Sequence, residues 1–312
     1  MAIKKKADKP SGRRGKPTPT FKVTENTLLM DFLIKNLPDK NKNNIKTLLK
    51  DGQVNVNDLV ITKFNHPLTT GQKVEISWHK RPSSVTYQGL SIIYEDNHLI
   101  LIDKFPGILA IATDKGNQLT AYNTLSNHVK IQGADRKVFV VHRLDRETSG
   151  LMMYCKSQLI QAQLQKNWHQ VITERAYLAV VEGHPENNKG TIKSFLKENK
   201  ALLMYSTEDE TDAQLAITHY QTLNTNKHYS MLKVNPETGR KNQIRVHMQD
   251  IGHPIVGDRK YGSTTNPIGR LGLHAWVLAF IHPVTQKPMR FESTIPKKFS
   301  QLFAENSTET KE

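Results

Sequence analysis

Between residues 21 and 80 the apolar positions recur at helical and then at strand spacing. "TLLMDFLIKNL" puts Leu28, Leu29, Phe32, Leu33 and Leu37 on one helical face. "NKNNIKTLLKDG" predicts a second, basic helix, with Ile45, Leu48 and Leu49 inward and Gly52 as its stop. "QVNVND" and "GQKVEISW" alternate as short strands, so the segment reads as a small α+β unit. From about Leu90 the pattern is mostly that of strands. "SIIYE" and "HLILIDK" flank a hairpin at "DN", and "KVFVVHR", "GLMMYCK", "AYLAVVEG", "QLAITHYQTL" and "YSMLKVN" follow. "SQLIQAQLQKNWHQ" and "NQIRVHMQDIG" read as helices. The second has Ile244, His247, Met248 and Ile251 on one face and Gly252 as its cap. Strands without regular crossover helices predict an α+β domain built on a large mixed, mainly antiparallel sheet with flanking helices.

Residues 1–20 are basic, rich in Pro and Gly and free of aromatic side chains until Phe21, which predicts a flexible tail. The expected organisation is a tail over 1–20, a small domain over 21–80, a linker over 81–89, a catalytic-sized domain over 90–304 and a polar tail over 305–312. The longest apolar runs, such as "WVLAFI", are too short to span a bilayer. One cysteine, Cys155, allows no intramolecular disulfide, and its apolar surroundings suit a core position. A soluble, cytoplasmic monomer is expected.

Charge sharpens the picture. Lys plus Arg number 44 against 29 Asp plus Glu, a formal net charge of +15. Such an excess bears on partners rather than fold and favours a polyanion, nucleic acid first. The glycine patterns of dinucleotide-binding and P-loop proteins are absent. His142, His247, His253, His274 and His282 lack metal-ligand spacing, so no metal is expected.

The chemistry gathers at "VVHRLDRETSGLMMY", Val140 to Tyr154, where Asp145 stands between Arg143 and Arg146 in a loop joining two strands. Such a loop holds a side chain at the rim of a rigid sheet. Two neighbouring guanidiniums favour the charged form of the carboxylate, and an ionised, partly shielded carboxylate can act as a nucleophile. A turn aspartate in a surface salt bridge would read the same way in isolation. A second cluster, "NPETGRKNQIRVHMQDIGHPIVGDRKYG", sets Arg245 between apolar neighbours one turn into a helix. A half-buried arginine needs an acidic partner or a phosphate. Asp145 fits through a short ion pair; Glu237 and Asp250 are the sequence-local alternatives.

Taken in order, these segments resemble the RluA-type family of RNA pseudouridine synthases. "HRLDRETSGLMMY" matches its catalytic motif, "YEDNHLILIDKFPGILA" its first motif, "ERAYLAVVEG" its tyrosine motif and "TGRKNQIRVHMQDIGHPIVGDRKYG" its arginine motif. "LHAWVLAFIHP" matches a further segment, so the likeness spans roughly residues 90 to 295. Asn242 stands where a histidine is common, and Phe105 interrupts the usual Lys-Pro. The resemblance implies that Asp145 is the essential aspartate, that Tyr177 packs against the flipped base, and that Arg245 pairs with the aspartate. It also implies that Arg143 enters the RNA helix as the uridine leaves. Arg146, His142 and Arg240 are further expected RNA contacts. The small domain is similar to the alpha-L RNA-binding motif through "LLKDGQVNVND", with Lys46 and Lys50 as its expected RNA contacts.

The expectation is therefore isomerisation of uridine to pseudouridine in structured RNA, without cofactor, with large-subunit ribosomal RNA favoured and tRNA the alternative. Two rivals use the same residues. One is a non-catalytic RNA-binding or ribosome-assembly protein. The other is an RNA hydrolase pairing Asp145 with Glu147, an arrangement that two residues on one loop serve poorly.

Overall fold

The computed structural model describes residues 19–50, 53–57, 59–61, 63–76, 85–112 and 119–304. Gly52, Lys80, Arg81, residues 1–18 and the tail over 305–312 lie outside them. The chain divides into two units between Ser83 and Ser84.

In the first unit, helices Leu29–Asn36 and Lys42–Lys50 close over a four-stranded sheet. That sheet has the order Thr20–Lys22, Lys73–Ile76, Val54–Val56, Leu59–Val60. Leu29, Leu33, Ile45, Leu49, Val54, Val74 and Ile76 form its core. Leu28, expected inward, is 45% exposed, because the helix begins one residue later and Leu28 belongs to the preceding two-residue strand. Thr20, expected in the tail, already pairs with Glu75.

The second unit carries a twelve-stranded sheet. Its strands are β1 (Val85–Tyr87), β2 (Leu90–Glu95), β3 (Leu99–Lys104), β4 (Phe139–Val140), β5 (Ser149–Cys155) and β6 (Ile172–Glu182). They continue as β7 (Lys189–Glu198), β8 (Met204–Thr207), β9 (Gln214–Thr225), β10 (Tyr229–Pro236), β11 (Leu273–Ile281) and β12 (Pro288–Glu292). The order across the sheet is β8-β7-β9-β10-β6-β11-β5-β3-β2-β1, with β4 beside β5 and β12 beside β11. All pairings are antiparallel except β5 with β11, which run parallel and match at Ser149↔His274 and Gly150↔Ala275.

Strand β5 reads as an unbroken apolar run because both of its faces are covered. Met152 and Tyr154 pack with Ala121, Leu125 and Val129 of helix α1 (Ala121–Gln132). Leu151, Met153 and Cys155 pack with Ile160 and Leu164 of α2 (Gln158–Lys166). Burial pushes the Cys155 thiol up to about 11, so it is an inert part of this layer.

Several elements depart from expectation. Helix α1 is unannounced in the sequence, because only every fourth residue of its inner face is apolar; Thr120 caps it by accepting the Asn123 N–H at 3.0 Å. The helix expected over 157–170 breaks at Asn167 into α2 and a single turn, α3 (Trp168–Val171). "KVFVVHR" contributes only two residues to the sheet before the chain leaves it. Residues 85–87, expected in a linker, pair with β2. No helix among the described residues is long and apolar enough to cross a membrane.

Candidate active site

Residues 141–148 connect β4 to β5 and carry Asp145. Leu144 is buried in the core with Met152 and Tyr177, while the Asp145 side chain remains 31% exposed at the rim. The loop is fastened from below by Lys104, which is wholly buried at the end of β3. Its ammonium donates to the carbonyls of Phe105 (3.1 Å), Ile108 (3.0 Å) and Arg146 (2.9 Å). Burial pushes this amine down to about 8, while the charges of Glu147 and Asp145 pull the other way. The Gly107 N–H adds a second bond to the Arg146 carbonyl, at 2.9 Å. On the far side of the loop, Arg270 donates to the Ser149 hydroxyl at 2.7 Å, and that hydroxyl lies 2.8 Å from His274 Nδ1. Burial, with Arg270 nearby, pushes His274 down to about 3, so it is neutral.

Arg245 comes from helix α4 (Gln243–Asp250). Asn242 starts that helix in the left-handed region, φ 54°, a conformation asparagine tolerates better than most residues. The helix ends at Gly252, φ 78°, where the N–H groups of Gly252 and His253 satisfy the carbonyls of Gln249 and Met248. Arg245 Nη1 lies 3.5 Å from Asp145 Oδ2. The contact is thus an ion pair at a distance, rather than the short one expected. The tight partner is Asp258, which takes Nε at 2.6 Å and Nη2 at 2.7 Å. Neither sequence-local acid is used: Asp250 accepts from Ser206, and Glu237 faces His219. Burial opposes the Arg245 charge most strongly, but the Asp258 hydrogen bonds together with the charges of Asp258 and Asp145 outweigh it and hold the guanidinium above its ordinary range.

Tyr177 sits in β6, opposite Val234 of β10 and Ala275 of β11, just after a register shift. Its ring is 8% exposed. Burial raises the phenol, and the Asp145 charge adds to the rise while Arg175 opposes it. Arg175, which sequence reasoning passed over, donates to the carbonyls of Pro236 (3.1 Å) and Thr238 (2.6 Å) and fixes the turn leading to α4. Its only signal was its place two residues before Tyr177.

The remaining expected contacts divide. Arg143 and Arg146 are exposed beside Asp145, and among the described residues Arg143 has no ion-pair partner. Arg240 is exposed and donates to the Leu215 carbonyl at 2.9 Å. Lys46 and Lys50 are exposed on the second helix of the other unit. His142 is a correction. Its Nε2 accepts the Met153 N–H at 3.0 Å, its ring packs on Trp168 at 5.1 Å, and burial pushes it down to about 3. It is a neutral strut of the fold. Lys104, Asp258 and Tyr261 complete the site and were missed as functional residues. "VGDRKYG" held the last two in plain view, but nothing in sequence spacing ties Asp258 to Arg245.

The sequence model of the RNA pseudouridylate synthase family matches residues 98–250, which contain Asp145, Tyr177 and Arg245. The RNA pseudouridine synthase YjbO of Bacillus subtilis is 34% identical over 258 residues, covering 83% of this chain and 86% of that protein. The chain belongs to the RluA-type RNA pseudouridine synthases. It is an RNA-modifying isomerase, and RNA is its substrate. Ribosomal large subunit pseudouridine synthase C of Rickettsia prowazekii is 35% identical over 215 residues, 67% of this chain and 69% of that one. The solved structure of human RNA pseudouridylate synthase domain containing 4 shares the fold, with a TM-score of 0.56 at 24% identity over 67% of this chain and 90% of the other.

Proposed function

We propose that Asp145 is the reacting carboxylate of this pseudouridine synthase and that its RNA is that of the large ribosomal subunit. The observation carrying the first part is the placement of Asp145 at an exposed rim, 3.5 Å from Arg245 and next to Leu144, which shares a core cluster with Tyr177.

Pseudouridine formation breaks the bond from the ribose anomeric carbon to N1 of uracil and makes one to C5, whose proton then leaves. The base must first leave the stack. Exposed Arg143 suits the gap it leaves, and the Tyr177 ring suits the floor on which the flipped base rests. Asp145 then either adds to the anomeric carbon or takes the adjacent ribose proton to give a glycal. In both routes the Arg245 charge steadies the carboxylate before it reacts and after it is released, and Tyr177 is the residue assigned to take the C5 proton.

Two features support ribosomal RNA. A relative of similar identity is named a large-subunit enzyme. The N-terminal unit, read as an alpha-L-like RNA-binding domain with Lys46 and Lys50 outward, gives a grip that a lone tRNA stem-loop does not require.

The test is pseudouridine mapping on unmodified large-subunit RNA fragments and tRNA stem-loops, with wild type and Asp145→Asn. Wild type should modify the ribosomal fragments in preference, and Asp145→Asn should bind RNA as well but not turn over. Residual activity within about tenfold of wild type, roughly 1.4 kcal/mol in barrier, rejects the role of Asp145. Preference for the stem-loops rejects the target. Deleting residues 1–80 should flatten the salt dependence of binding, because fewer phosphates are neutralised.

A further inference from the structure

Two of the three guanidinium nitrogens of Arg245 are committed to one carboxylate, and it is not that of Asp145. Nε and Nη2 grip the two oxygens of Asp258 at 2.6 and 2.7 Å, and Asp258 is 2% exposed. The main chain of Asp258 is locked in turn. Its carbonyl accepts the N–H groups of Tyr261 (2.9 Å) and Ser263 (3.1 Å), and its own N–H donates to Ile255 at 3.0 Å. Glu182 holds the following loop by accepting from Ser263, Thr264 and Thr265. The Tyr261 ring lies 4.7 Å from the guanidinium carbon. Asn242 links the two, donating to the Tyr261 hydroxyl at 2.9 Å and accepting from Arg245 Nη1 at 3.1 Å.

An unrestrained arginine beside a lone carboxylate closes into a two-bond fork that engages both oxygens. A forked Asp145 would be well paired and poorly placed to react, because its lone pairs would be tied to N–H groups. Asp258 takes the fork first. We propose that Asp258 is a positioning residue for the isomerisation: by occupying the Nε/Nη2 fork it closes that fork to Asp145, which lies nearest Nη1, a nitrogen already shared with Asn242. Asp145 thereby gains a cationic neighbour without being captured by it. This rests on Asp145 being the reacting carboxylate.

The test compares single-turnover rates and RNA dissociation constants for Asp258→Glu, Asp258→Asn, Arg245→Met and the Asp258→Asn/Arg245→Met double variant, with Asp145→Asn alongside. Asp258→Glu keeps the charge and moves it by one methylene. It should slow turnover at least tenfold while leaving RNA affinity within about twofold of wild type. Because Asp258 acts through Arg245, adding Asp258→Asn to Arg245→Met should slow the reaction less than threefold further, far from the product of the two single effects. If Asp258→Asn does not fold, Asp258→Glu alone decides, and wild-type turnover by it overturns the proposal. Multiplying effects in the double variant also overturn it, since Asp258 would then act independently of Arg245. Activity in Asp145→Asn removes the underlying reading instead. An inactive Asp145→Asn beside a fully active Asp258→Glu removes only the clamp.

Discussion

Lys104 reaches from the end of one strand to the Arg146 carbonyl, 2.9 Å away and forty-two residues later in the chain. The contact joins the loop after β3 to the residue after Asp145, and Lys104 makes it with no surface exposure of its own. A lysine whose ammonium satisfies three carbonyls acts as a peg. Replacing it with methionine keeps the packing of the stem but leaves the Phe105 and Ile108 carbonyls without that donor. Lys104→Met should cost about 1–3 kcal/mol in denaturant unfolding. Turnover should fall about 100-fold as Asp145 loses its fixed place. Turnover at the wild-type rate would show that the loop is held without it.

Tyr177 allows a sharper separation of roles. Tyr177→Phe retains the flat ring and should bind RNA like wild type while losing most of its turnover. Tyr177→Ala should in addition weaken binding by about 1–3 kcal/mol, the worth of one base stacked on an aromatic ring. Filter binding and single-turnover assays read the two effects apart. If both variants are fully active, the tyrosine is only part of the core.

His142, His247 and His274 are held neutral, pushed down by burial to about 3, about 4 and about 3, with Arg175 adding to the effect on His142 and Arg270 to that on His274. Each remains unprotonated in the folded chain below pH 6.5, where the unfolded chain takes up a proton. Stability is therefore complete above about pH 6.5 and falls as the pH drops toward 4, by about 1.4 kcal/mol per unit for each histidine. Asp103 and Asp250, raised by burial, offset part of this loss nearer the carboxylate range. Urea midpoints measured from pH 7 to 4.5 should show the fall, and His274→Gln should make it shallower by about one proton.

Two glycines should respond very differently to alanine. At Gly150, φ 110°, a Cβ would come within 2.1 Å of the Ala275 carbonyl oxygen. Gly150→Ala should cost about 3 kcal/mol or more and abolish activity by parting β5 from β11. Gly252 also has a positive φ, yet nothing lies within 4 Å of its missing Cβ. Gly252→Ala should cost only about 1–2 kcal/mol, the strain of a left-handed alanine, and leave turnover intact. Thermal melts and a pseudouridine assay distinguish them.

Much of this was legible in the sequence. Alternation and apolar runs predict β2, β3, β5, β6, β9 and β10, because strands packed against helices or water carry a local imprint of burial. Helix α1 left almost none, since Ala121, Leu125 and Val129 carry its whole buried face amid polar neighbours. Asp145, Tyr177 and Arg245 could be picked out by motif order. What the sequence does not encode locally is partnership. Arg245 has Asp250 and Glu237 close in sequence, yet tertiary folding gives it Asp258 and, more distantly, Asp145. His142 misled for the opposite reason. Its place in a basic motif suggests RNA, but its ring was already needed to satisfy the Met153 N–H.

The single parallel joint, β5 against β11, divides the great sheet into two leaves. Only Ser149↔His274 and Gly150↔Ala275 are matched across it, whereas β6 and β11 share seven matched positions on the neighbouring side. Asp145 and its peg Lys104 travel with one leaf. Tyr177 travels with the other, as does α4, which Gln243 and His247 fasten to Thr218 of β9. Side chains bridge what the backbone leaves open: Arg270 and His274 both meet the Ser149 hydroxyl, Ser293 donates to Asp103, and Leu151 and Met153 pack with Leu278 and Phe280. The 3.5 Å separation of Asp145 and Arg245 is therefore set across a seam of side-chain contacts rather than along a continuous backbone ladder.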